Sequence, residues 1–370
     1  MKKLFIYAAI ASVAFASCSK DNGVELPSNN EENEAKQLIE LRMSSSIDVT
    51  TRGSGAVGGT EAEGDNSWNG QTLNVYMLEK GTMIPAFNEA TNASYFENAE
   101  VKAPNTGATG TASYGAEQYY PSSGNFDFFA YHGDDAVADA PVLNAAGDAY
   151  TVGVIIDGTQ DLMVAKAGLN LADSTTYESN AKYDYKRIYS AYSARRGVQP
   201  RFAFNHLLSR FVFQAVAVEE SAAGANGIKI TKVEVKAPEK GIMTVAAVDE
   251  NDLGVAFSTD SAMFTLKNGA APMDTRYLEY NKLVRLGESM LLPAGGTKYI
   301  AEITYEQKML DGTVEKSIHE ATIALKDNKP FVAGTQYKVN VSVYGFRQIV
   351  LTCDLIAWEE GEDIPVDSEE

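Results

Sequence analysis

The pattern that most limits this chain is alternation. Between residues 39 and 355 apolar side chains recur at every second position in short runs, while helical periodicity is scarce. Tyr337, Val339, Val341 and Val343 make the cleanest run, and Tyr299, Ala301, Ile303 and Tyr305 make another. Ile349, Leu351, Cys353 and Leu355 follow on a last one, where Cys353 reads as a buried, inert thiol. Leu73, Val75 and Met77 share one face of a strand from Thr72 to Leu78. The turn Pro121-Ser122-Ser123-Gly124 leads into an aromatic strand, Phe126 to Tyr131. Tyr150 to Ile156 and Leu162 to Ala167 are shorter strands. Phe202 and Phe204, then Phe211 and Phe213, predict two strand pieces across a kink at Asn205 to Ser209. Ile228 and Ile230 lie on one parity and Val233 and Val235 on the other, which predicts a bulge or turn between them. Asp311-Gly312 supplies a tight turn into Val314 to Leu325. Many short strands with Gly, Pro and Asp turns predict an all-β chain built as β-sandwiches. The tract from Leu169 to Arg196 differs, being polar, dotted with tyrosines and without a clear period. It reads as a long excursion with a helical turn.

The first strand of the series stands apart. Ile39, Leu41, Met43, Ile47 and Val49 alternate with polar residues, broken only at Ser45, which predicts one half-buried strand. It ends in Thr50-Thr51-Arg52-Gly53-Ser54-Gly55, and small residues continue to Gly64. An arginine in a Gly/Ser loop is accessible to a trypsin-like protease, although a solvated loop arginine needs no such role.

Before that strand lies a leader. Lys2 and Lys3 precede an apolar run, Leu4 to Ala16, that ends in Phe15-Ala16-Ser17-Cys18. A basic start, a short apolar segment and small residues before a cut describe a secretory signal peptide. The run is shorter than the ~20 residues that span a bilayer, and no later apolar stretch is long enough to do so. Small residues directly before Cys18 resemble a bacterial lipobox, with Phe15 in place of the usual leucine or valine. That resemblance implies acylation of Cys18 after removal of residues 1–17, and several acyl chains hold where one would be marginal. Ser19 to Lys36 is polar, with Glu31, Glu32 and Glu34 close together, and predicts a tether that buries no core.

Composition closes off other chemistry. The 370 residues suffice for two domains, and 45% hydrophobic against 22% charged residues excludes wholesale disorder. A formal charge of -19 repels phosphate backbones, so nucleic acid is not an expected partner. Three histidines and two cysteines leave little material for metal, haem or histidine catalysis, and no cofactor or metal is expected. His206 lies between aromatic positions without a second histidine or cysteine near it in sequence, and packing is the preferred role. His132-Gly133-Asp134-Asp135 has too few spaced oxygen ligands for calcium, and Asp249-Glu250-Asn251-Asp252 reads as an acidic turn. Nucleophile elbow and Walker loop are both missing, so an enzyme is not expected.

Several blocks together resemble the fimbrillin family, the subunits of type V pili in anaerobic Gram-negative bacteria. They are Gln118-Tyr119-Tyr120-Pro121-Ser122 before the strand from Phe126 to Tyr131, then Asp161-Leu162-Met163-Val164-Ala165. Phe202-x-Phe204-x-His206-x-Leu208-Ser209, Leu291-Leu292-Pro293, Ala333-Gly334-Thr335-x-Tyr337 and Ile356-x-Trp358 complete the set. The resemblance implies two transthyretin-like β-sandwich domains in tandem, here 53–197 and 198–370, after a signal peptide (1–17) and a lipidated tether with a removable strand (18–52). It also implies an outer-membrane lipoprotein precursor, cut after an arginine by an arginine-specific protease and polymerised by donor-strand exchange. Mapped here, the lost strand is Ile39 to Val49, the cut follows Arg52, and the candidate donor is Ile349, Leu351, Cys353 and Leu355. Cutting at Arg42 would split the strand. The partners so implied are other copies or related pilin subunits, the outer membrane through lipid before processing, and a host surface through adhesion. The alternative is an uncleaved surface lipoprotein or tip adhesin that binds glycan or host protein. Tyr177, Tyr183, Tyr185, Tyr189 and Tyr192 would offer the aromatic surface for it, unless they pack their loop onto the sandwich.

Overall fold

The computed structural model describes residues 40–47, 68–88, 92–105, 109–115, 118–168, 188–269, 271–309, 311–326, 328–345 and 348–355. The leader, Cys18, the tether, Ile39, Val49, Arg52, Tyr177, Tyr183, Tyr185 and Trp358 lie outside those residues. Residues 39–370 form one compact unit.

The architecture is almost wholly β. A seven-stranded sheet runs in the order Ala99–Lys102, Thr72–Glu79, Phe126–His132, Met163–Gly168, Arg201–His206, Ser44–Ile47, Thr109–Thr111. Both of its faces are covered. Leu73, Val75, Met77, Phe128 and Ala130 enter one core, while Tyr76, Leu78, Phe129 and Tyr131 enter another. Burial on both sides explains why Phe128 to Tyr131 reads as an unbroken apolar run instead of alternating.

Against the second face lies a four-stranded sheet, Gly254–Phe257, Lys240–Ala247, Ala149–Ile155 and Val142–Leu143, which contributes Val152, Val154, Met243 and Val245 to the shared core. Two short two-stranded ribbons and two five-stranded sheets complete the described sheets. One carries Leu208–Ala217, Gln336–Gly345 and Gln348–Leu355; the other carries Ser261–Thr265, Ile228–Pro238, Lys298–Lys308 and Val314–Ala324. Their inward residues meet in the same core, where Phe211, Tyr299, Phe331 and Tyr337 pack ring to ring. Phe211 and Phe331 cross edge to face with centroids 4.9 Å apart, and Tyr299 stacks on Phe331 at 5.4 Å.

The expected kink and bulge are both present. Leu207 alone separates Arg201–His206 from Leu208–Ala217, and the chain changes sheets there. The ladder between Ile228–Pro238 and Lys298–Lys308 shifts register between Ile230 and Lys232. At the hairpin, Asp311 accepts from the Thr313 amide at 2.9 Å, and Gly312 takes a φ of 87° that favours glycine. The excursion before residue 197 includes a single helical turn, Ala191–Ala194, capped by Ser190.

Strand pairing overruns residue 197. Arg201–His206 belongs to the seven-stranded sheet, and Lys240–Ala247 pairs along Ala149–Ile155. The second half of the chain therefore supplies strands to layers begun by the first.

Candidate functional site

The N-terminal strand occupies an interior place. Ser44–Ile47 runs parallel to Arg201–Phe204 on one flank and antiparallel to Thr109–Thr111 on the other. Sequence alternation suggests a single strand over 39–49. In the structure the paired region begins with an isolated bridge from Glu40 to Tyr119 and becomes regular only at Ser44. The intervening residues are still fastened: the Leu41 amide donates to the Gln118 carbonyl at 2.7 Å, and the Met43 carbonyl accepts from Ala112 at 3.0 Å.

Side chains anchor what the backbone aligns. Leu41 is 0% exposed and Met43 1%, and both join the core of Leu73, Val75, Phe202 and Phe204. Full burial of two such side chains contributes about 3–6 kcal/mol. Ile47 lies in the strand opposite Phe204, although its side chain is outside the described residues. Trp68, 1% exposed, stands edge to face with Phe204 at 5.2 Å and so packs onto the same wall.

Gln199 supplies a second kind of hold. Its Oε1 accepts from the Arg42 amide at 3.1 Å, and its Nε2 donates to the Glu40 carbonyl at 3.2 Å. One side-chain amide thus satisfies a donor and an acceptor of the strand, as a neighbouring peptide group would. Arg42 itself turns outward onto Glu40, with Nη2 at 2.6 Å from Oε2. Neither Trp68 nor Gln199 carried a signal in the sequence, because each meets residues far away along the chain.

The candidate donor lies elsewhere. Gln348–Leu355 is an edge strand, antiparallel to Gln336–Gly345, with Val339 opposite Cys353 and Val343 opposite Ile349. Ile349 is 5% exposed and Cys353 7%, while Leu351 is half-buried. The side chain of Leu355 is outside the described residues. In this state the candidate donor completes its own sheet, so the structure does not bring it to the N-terminal strand.

The histidines have partners that lie far off in sequence. His206 Nδ1 lies 2.8 Å from Asp161 Oδ2, and both side chains are buried. The neighbourhood that seemed bare along the sequence therefore holds a carboxylate from 45 residues away. Asp161 is joined through its amide to Asp134 Oδ2 at 3.0 Å, and Asp134 Oδ1 is 2.9 Å from His132 Nε2. His132 Nδ1 meets the Thr72 carbonyl at 2.8 Å. Among the described residues no group of three or more His, Cys, Asp or Glu is placed to hold a metal.

Burial is the largest single influence on His132 and acts to lower its pKa, yet Asp134 and the Thr72 carbonyl together hold it above the ordinary value. Burial likewise raises Asp134, but the His132 partner carries it below the usual carboxylate range. A histidine whose pKa is raised on folding stabilises fully below its unfolded pKa of about 6.5, and that contribution is lost as pH rises through the folded value. Asp134 contributes above the ordinary carboxylate pKa and loses its part as pH falls through the lowered one. Urea unfolding should therefore show stability falling as pH rises through the His132 titration. In His132→Gln that slope should vanish; a slope that persists in the variant assigns the effect to another group.

Of the tyrosine tract, Tyr189 is buried, donates to the Gly168 carbonyl at 2.7 Å and packs edge to face on Phe128. Tyr192 is 41% exposed, with the Arg196 guanidinium 3.6 Å above its ring. Among the described residues no helix is long and apolar enough to cross a membrane.

Stacked β layers with an N-terminal strand laid inside a sheet define an all-β, strand-built protein. The fimbrillin-like family model matches residues 60–358, and the chain belongs to that family. Membership makes it a fimbrial or adhesion subunit by class. The chain is similar to a fimbrial protein from Bacteroides vulgatus, with 13% identity, TM-score 0.48, and coverage of 86% of this chain and 99% of that one. A crystal structure assigned to cell adhesion from Bacteroides uniformis shows 16% identity, TM-score 0.48, and coverage of 87% and 99%. The fimbrial anchor protein Mfa2 from Porphyromonas gingivalis shows 13% identity, TM-score 0.36, and coverage of 86% and 98%. No curated protein matches the chain.

Proposed function

We propose that the chain is a structural subunit of type V fimbriae that serves cell adhesion and performs no catalysis. It is exported to the outer membrane as a lipoprotein acylated at Cys18, cut after Arg52 by an arginine-specific protease, and then polymerised. The N-terminal strand leaves with the cut, and a strand from another copy or a related pilin subunit takes its place. Two tandem sandwich domains divided near residue 197 belong to the same reading. The observation that carries it is the position of Ser44–Ile47, laddered on both flanks and preceded by the buried Leu41 and Met43. Its removal would open an apolar trench and two rows of unpaired backbone groups, the kind of edge that recruits another strand. Support for the donor comes from the edge position of Gln348–Leu355, which has to break one ladder to leave its sheet.

A second reading, an uncleaved surface lipoprotein or tip adhesin that binds glycan, has one observation in its favour. An open cleft of about 980 Å³ is lined by Phe87, Asn88, Ser122, Ser123 and Asn125, with the Phe87 ring 52% exposed. An exposed ring beside amides and hydroxyls suits a sugar face. N-terminal sequencing of protein sheared from cells separates the two readings. A start at Gly53 is expected; an acylated Cys18 start in all the material would overturn processing.

A further inference from the structure

Among the described residues, Val314–Ala324 is the longest edge strand of the two five-stranded sheets. All eleven of its residues pair with Lys298–Lys308, and among the described residues no strand pairs with its other side. Long edges of this kind are templates for another chain unless something blunts them. Its outward face presents Val314, Lys316, Ile318, Glu320 and Thr322, all exposed, with Val314 and Ile318 each at 61%.

That face is self-complementary. In an antiparallel pair of identical strands centred on Ile318, Lys316 stands opposite Glu320 of the second copy, and Glu320 opposite its Lys316. Ile318 meets Ile318, and Val314 meets Thr322. Registers centred on Lys316 or on Glu320 would set like charges against each other, which is unfavourable for directly opposed residues. A lone lysine would blunt the edge, but here the opposing acid sits at the two-fold position.

Neighbouring strands strengthen the match. Glu320 lies opposite Glu302 within its own sheet, and Glu302 lies opposite Glu234, so three carboxylates form one row that ends at the edge. Lys232 reaches Glu234 at 2.6 Å, which leaves Glu302 and Glu320 as an adjacent like-charged pair. Lys316 ends a different row, opposite Glu306, which is opposite Lys229. The two-fold register continues the acidic row of one copy into the lysine-ended row of the other.

We propose that this edge is a homophilic docking site, at which a second copy of the chain adds its Val314–Ala324 strand antiparallel in the register centred on Ile318. The contact is isologous and closes at two copies. Its ladder uses neither the N-terminal nor the C-terminal strand, and it would join fibres or monomers side by side.

Sedimentation velocity of the full chain over a concentration series tests the proposal. A reversible dimer is expected, weakened by added salt because its charged pairs lie at the surface. Lys316→Glu and Glu320→Lys should each weaken dimerisation by about tenfold, since each replaces two attractive cross-strand pairs by repulsive ones. The combined Lys316→Glu/Glu320→Lys chain should recover affinity close to that of the wild type. A wild type that stays monomeric at its highest soluble concentration overturns the site. So do single variants that dimerise normally, or a folded combined variant as weak as the single ones. Should the charge variants misfold, Ile318→Cys in a Cys18→Ser background reports on the register directly. Opposed residues of an antiparallel pair lie within disulfide range, so mild oxidation should yield a covalent dimer, and failure to do so rejects the register.

Discussion

Arg52→Ala is expected to abolish fibres while leaving a folded, secreted monomer that keeps its N-terminal strand. Fibre yield in shear fractions, read by electron microscopy, should fall to background, and the intact mass should retain residues before Gly53. The reason is the strand's place in the sheet. As long as Leu41 and Met43 fill the core and both ladders are made, the place of this strand is occupied and cannot take another. Cleavage at Arg42 is a poor substitute, because the Arg42 amide is bonded to Gln199 in the paired segment. Fibres of normal length from Arg52→Ala would remove processing from the mechanism.

The second large effect concerns the strand's grip. Leu41→Ala and Met43→Ala should each cost about 2–5 kcal/mol in the uncleaved chain, the range for truncating fully buried side chains. Together they approach the whole stability of an ordinary domain, about 5–15 kcal/mol. Urea unfolding of the uncleaved protein should show the midpoint drop sharply for the pair. Leu351→Ala, at a half-buried position, should cost less. A double variant as stable as the wild type would mean that the strand is held by its ladders alone. In the exchange reading, the same variants should accelerate replacement of the strand by another.

Sequence alternation carries most of the secondary structure here, because a half-buried strand writes its burial into every second residue. The pattern of Tyr337, Val339, Val341 and Val343 and the change of parity between Ile230 and Val233 both have direct counterparts in the sheets. Phe126 to Tyr131 was legible as a strand but not as an interior one, since two-sided burial erases the period that would assign its faces. Contacts between distant residues stayed hidden for a different reason. Asp161 beside His206, Gln199 beside Glu40 and Trp68 on Phe204 are pairings made by topology, and no local spacing announces them. The leader and the cut loop have the opposite character. Their chemistry is local, so sequence alone gives them content.

The sheet shared between the two halves has a mechanical meaning. Lys240–Ala247, from the second half, pairs along Ala149–Ile155, from the first, and Ile156 donates from its amide to the Glu239 carbonyl at 2.8 Å. Swinging one half against the other would have to tear that ladder and open the core beneath it, where Val152, Val154, Met243 and Val245 are buried. Among the described residues that ladder and core tie the two halves into one stiff link. Any filament assembled from it would bend at its joints, so its compliance would be set by the segments that connect one link to the next.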